Sequence, residues 1–75
     1  MVTLKDIRKI VLAKNYTVWI FDKETKELID DFNINFDDED STLVDSLDKC
    51  KTYQDCPVDL ITTDYRGQIR FDVIY

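Results

Sequence analysis

The stretch YTVWIFDKETKELIDDFNINF, running from Tyr16 to Phe36, decides the fold. Tyr16 to Phe21 is β-branched and aromatic, the composition of a strand. Alternation puts Tyr16, Val18 and Ile20 on one face and Thr17, Trp19 and Phe21 on the other. Asp22 to Glu27 reads as a charged turn, and Leu28 to Phe36 as the returning strand. Phe32, Ile34 and Phe36 alternate there with Asn33 and Asn35. Asp30 breaks the alternation, because a straight strand sets it on the apolar face, where an unpaired carboxylate is costly. Two solutions stay open: a β-bulge near Asp30–Asp31 that turns Asp30 away, or a place for Asp30 at the sheet margin.

Outward from this hairpin, periodicity supplies the remaining elements. Thr3 reads as a helix N-cap with Asp6 in capping-box position. Leu4, Ile7, Ile10 and Val11 form one apolar stripe, which predicts a helix over Leu4 to Lys14 with Asn15 as its stop. A second helix starts near Asp40 or Ser41, with Leu43, Val44, Leu47 and Cys50 as its stripe and Lys49 and Lys51 in its last turn. Pro57 fixes an extended approach to a third strand, Val58 to Thr63. Asp64-Tyr65-Arg66-Gly67 is a turn, with Gly67 supplying a positive φ. Ile69 to Tyr75 is the fourth strand, with Ile69, Phe71, Val73 and Tyr75 on one face. The expected fold class is therefore α+β: one domain, residues 1–75, in two layers. Its order is α-β-β-α-β-β, a four-stranded antiparallel sheet with both helices on one face.

Composition bounds the function. The chain has 75 residues, 44% of them apolar, with one Gly and one Pro, which argues against disorder. No apolar run approaches a membrane span, and the N-terminus shows no signal-peptide core, so the expected location is the cytoplasm. The net charge of −6 opposes direct binding to nucleic acid or to an anionic membrane. That charge is local. Asp30, Asp31, Asp37, Asp38, Glu39, Asp40, Asp45 and Asp48 fall in one stretch without a Lys or Arg, whereas the flanks are balanced or slightly basic. Asp37 to Asp40 precede a helix, where negative charge is stabilising, so part of the block has a structural use. Asp30, Asp31, Asp45 and Asp48 are not explained that way, and the eight together are the candidate partner-binding residues.

Catalysis has little to work with. There is no His to serve as base for a Cys nucleophile, and the acids crowd on polar positions. No enzymatic activity and no cofactor are expected. The two cysteines, Cys50 and Cys56, form no zinc signature and are expected as free thiols, Cys50 in the core. The EF-hand pattern needs Gly sixth and Glu twelfth. Counting from Asp31 those places hold Phe36 and Thr42, and from Asp38 they hold Leu43 and Lys49, so no metal site is expected. Helices can cover only one sheet face. Either Trp19 and Phe21, or Tyr16, Val18 and Ile20, then face away, and an apolar face of this kind can mark an interface.

The opening, Leu4 to Lys14 as a helix followed by Asn15-Tyr16-Thr17-Val18, resembles the start of a prophage-encoded anti-CRISPR protein that blocks a type II CRISPR nuclease. The short, acidic chain also looks like the small orphan proteins of phages and other mobile elements. The resemblance implies a non-enzymatic protein in a bacterial host cell that sits in the basic channel or PAM-reading cleft of the nuclease and mimics DNA. A nuclease holds DNA through Arg and Lys contacts to phosphates, and carboxylates at comparable density fit the same cleft. The leading expectation is an acidic inhibitor of a nucleic-acid-handling enzyme. Its partner is a protein with a basic surface, and it acts as a monomer or homodimer. The alternative is a structural or assembly module that associates through the apolar sheet face around Trp19 and Phe21.

Overall fold

The computed structural model describes residues 1–11, 14–37 and 41–75. Its elements run α1 (Leu4–Ile10), β1 (Asn15–Phe21), β2 (Leu28–Asn35), α2 (Ser41–Thr52), β3 (Val58–Thr63) and β4 (Ile69–Ile74). The order and the strand positions agree with the sequence reading. The capping box forms: the Thr3 hydroxyl accepts from the Asp6 amide and the Asp6 carboxylate accepts from the Thr3 amide. The next two helical amides also find acceptors, Leu4 on the Cys56 carbonyl and Lys5 on the Gln54 carbonyl, both at 3.0 Å. These bonds satisfy donors that a helix start leaves free and pin α1 to the segment before β3. The helix is shorter than expected. Val11 caps it in extended conformation, with its amide still on the Ile7 carbonyl, and Asn15 opens β1 rather than stopping a helix.

The sheet is mixed, not purely antiparallel. Strand order is β2-β1-β4-β3, with antiparallel outer pairs and a parallel central pair, β1 beside β4. The correction follows from α2. A helix of twelve residues is about 18 Å long, enough to carry the chain back along the strands. β3 therefore starts at the end where β2 started and runs parallel to it. Two hairpins laid side by side in that sense meet through parallel inner strands.

The core lies between the sheet and the helices. Leu4 and Ile7 of α1 and Cys50 of α2 pack with Tyr16, Val18, Ile20, Phe32, Ile34, Phe71 and Val73. Tyr16 meets Phe71 edge-on with ring centres 5.4 Å apart. Each fully buried aliphatic here contributes roughly 1.5–3 kcal/mol of transfer free energy. On α2 the buried stripe is Leu43, Ser46, Leu47 and Cys50, while Val44, expected in the core, is 58% exposed. Of the α1 stripe, the Ile10 side chain lies outside the described residues.

The bulge is present but sits one residue early. Ile20 pairs with Asp30 and Phe21 with Leu28, so Ile29 is the extra residue. Asp30 consequently stays on the helix-covered face, in line with Phe32 and Ile34, and is not turned away. It is tolerated there because α2 and the residue after it supply partners: Lys49 Nζ at 3.0 Å and the Tyr53 hydroxyl at 3.2 Å.

Candidate functional site at the acidic corner of β2 and α2

The acids of the central stretch divide according to the element that carries them. Asp30 is two-thirds or more covered and neutralised by Lys49, an interaction that ties α2 to β2. Asp31, one residue on, points to the opposite face, lies across from Trp19 and is exposed. Asp37 follows the end of β2 and is exposed, with its own amide bonded to the Asn35 side chain at 3.1 Å. Asp45 and Asp48 are exposed on α2, one turn apart. Asp45 precedes Lys49 by one turn and shares the flank that reaches β2. Asp38, Glu39 and Asp40, including the cap position considered for α2, lie outside the described residues.

β2 is an edge strand and α2 packs against it. Asp31 on β2, Asp37 just after it, and Asp45 and Asp48 on α2 are thus all exposed on neighbouring elements. Among the described residues, none of these four joins a salt bridge; the three that form are Lys49–Asp30, Arg66–Asp64 and Arg70–Asp72. Among the described residues no three Asp, Glu or Cys side chains converge as a metal site would require.

The other sheet face is polar as well as aromatic. Arg70 donates two hydrogen bonds to Asp72, at 2.8 and 3.0 Å, and lays its guanidinium 4.1 Å from the centre of the Trp19 ring. Trp19 is half-buried under this lid, next to Phe21. At the strand ends the buried Thr17 hydroxyl donates to Asn33 at 2.7 Å, and Arg66 donates to Gln68 at 2.9 Å and Asp64 at 3.3 Å. The face therefore carries a satisfied polar network over its aromatics. The alternation in β4 put Arg70 and Asp72 on one face already in the sequence; that they flank Trp19 follows from the parallel β1–β4 pairing, which has no local signal.

The cysteines are free. Burial pushes both thiols above their ordinary value, Cys50 in the core and Cys56 beside Asp55, which adds to the effect. A raised thiol is a poor nucleophile near neutrality.

No family model, curated protein or solved structure matches this chain.

Proposed function

We propose that this chain is a small non-enzymatic binding protein that presents the carboxylates around the β2–α2 corner to a basic protein surface, and that the surface is the nucleic-acid cleft of an enzyme such as a type II CRISPR nuclease. One observation carries the reading: Asp31, Asp37, Asp45 and Asp48 stand exposed on β2, just after it and on α2, and among the described residues none of them joins a salt bridge. In a chain of net charge −6, exposed carboxylates without partners create a field that draws in Arg- and Lys-rich grooves and repels nucleic acid itself. The half-buried, Arg70-capped state of Trp19 makes the open sheet face a poorer apolar interface than the corner is a charged one. The test is competition. Titrated into a guide-loaded type II CRISPR nuclease holding labelled target DNA, the protein is expected to release the DNA. Full DNA retention at saturating protein would reject a nuclease cleft as the partner.

A further inference from the structure

We propose that a pocket on the open sheet face, between the β1–β2 turn and the start of β3, binds a small ω-amino acid: a zwitterion whose opposite charges are separated by an apolar chain. The pocket holds about 240 Å³ and is lined by Phe21, Lys26, Asp59, Asp72 and Ile74. That volume lies below the roughly 300–1,000 Å³ of sites for drug-sized ligands, so its occupant is smaller. Phe21 and Ile74 are partners in the parallel β1–β4 pair, and together they make a half-buried apolar floor. Trp19 packs beside Phe21, with ring centres 6.2 Å apart.

Two backbone irregularities bring opposite charges to this floor. Val58 pairs with Val73 and Leu60 with Asp72, so Asp59 is the extra residue of a bulge in β3. A bulge takes its extra residue out of the ladder and re-aims side chains. Here it sets the exposed Asp59 on the pocket. Lys26 reaches the same pocket from the turn between β1 and β2, where its backbone is left-handed at φ +65. The Lys26 amide donates to the Asp22 carbonyl at 3.0 Å, which holds the turn in that shape. Strand order places β1 and β4 between the two charges, Lys26 on the β1 flank and Asp59 on the β3 flank.

These charges line one pocket without neutralising each other. Among the described residues neither Lys26 nor Asp59 joins a salt bridge, so they stand beyond ion-pair distance. Asp72 is not available in the same way, because Arg70 already donates to both of its carboxylate oxygens, at 2.8 and 3.0 Å. A ligand carrying both signs closes the gap, with its carboxylate on Lys26, its ammonium on Asp59 and its carbon chain over Phe21 and Ile74. The floor is two strands wide and strands lie about 4.8 Å apart, so the ligand's charges must be several methylenes apart. A simple anion meets repulsion from Asp59, a simple cation meets repulsion from Lys26, and an apolar molecule would shield both charges from water without pairing either. None of the five residues belongs to the acidic block, so this site stands independently of the β2–α2 corner.

The test is a titration of the full chain followed through its amide NMR spectrum. Adding ε-aminocaproate is expected to shift the amides of Phe21, Lys26, Asp59 and Ile74 along one saturating curve and to leave Asp45 and Asp48 unmoved. Affinity should fall at least about tenfold for hexanoate and for hexylamine, which each lack one charge, and for β-alanine, whose charges are too close together. Asp59→Asn and Lys26→Met should each weaken ε-aminocaproate by a similar factor. Asp59→Asn should not weaken hexanoate, and Lys26→Met should not weaken hexylamine. Both side chains are exposed, so the variants should keep the native spectrum elsewhere, and the ligand series on the native chain decides without them. Absence of a saturable shift at these four amides overturns the proposal. So does equal affinity for hexylamine or hexanoate, which would make the pocket a plain ion site, or unchanged affinity for ε-aminocaproate in either variant.

Discussion

Asp30 shows how a single side chain can be read as recognition and turn out to bind its own fold. Its carboxylate accepts from Lys49 and Tyr53 at once, so removing it leaves both donors without their acceptor. Asp30→Ala is expected to cost about 1 kcal/mol, reduced from a buried pair's value because Lys49 is 44% exposed. Chemical denaturation checks the figure, and an unchanged midpoint would show the pair contributing nothing. Asp22 and Asp64 act through the backbone. Asp22 accepts the amides of Thr25 and Glu24, which hold its carboxyl below the ordinary carboxylate value. At Asp64 burial pushes upward, but the amides of Gln68 and Arg66 and the Arg66 guanidinium outweigh it, and the carboxyl again lies low. A lowered value in the folded chain means that protonation favours unfolding. This stabilisation is present above the ordinary value of 3.8 and is lost as pH falls below it through the lowered values. Denaturant midpoints measured from neutral pH downward should therefore fall in acid, and Asp22→Asn with Asp64→Asn should flatten that acid limb.

At the scale of the element, the turns and helices carry local signals that the sequence displays openly. The Thr3–Asp6 capping box, the Pro57 approach to β3 and Gly67 at φ +80 are all local devices, and each was legible. Lys26 was not. It sits at φ +65 in the turn between β1 and β2, and nothing in its residue type announces that. A non-glycine residue there costs roughly 1 kcal/mol, partly offset by the extra freedom that Gly has when unfolded. Lys26→Gly is expected to raise stability by about 0.5 kcal/mol, read as a higher melting temperature. Helix α2 was legible in position but not in its full stripe. Val44 and Leu47 are both apolar, and the polar Ser46 conceals the true buried line of Leu43, Ser46, Leu47 and Cys50. Val44→Ser should then change stability by less than about 0.5 kcal/mol, whereas Leu47→Ala should cost about 2 kcal/mol. Equal losses at the two positions would contradict the observed orientation of α2.

For the whole molecule, the features hidden from sequence are the non-local ones. Which inner strands meet, and in which direction, depends on the return path through α2 rather than on any strand's composition. The placement of Arg70 over Trp19 follows from that pairing, and it turns a suspected bare aromatic face into a capped one. The acidic block, by contrast, was legible as composition, and the fold sorts it: Asp30 inward, and Asp31, Asp37, Asp45 and Asp48 outward around the β2–α2 edge. If these exposed carboxylates recognise a basic cleft, as we propose, DNA competition on the guide-loaded nuclease will show it when the native chain is compared with Asp45→Lys/Asp48→Lys across a range of salt. Both positions are exposed on α2, so the variant should keep its fold. The native protein should displace DNA best at low salt and lose potency as salt rises, and the charge-reversed pair should displace it poorly throughout. Equal displacement by both proteins, with the same dependence on salt, would contradict the claim.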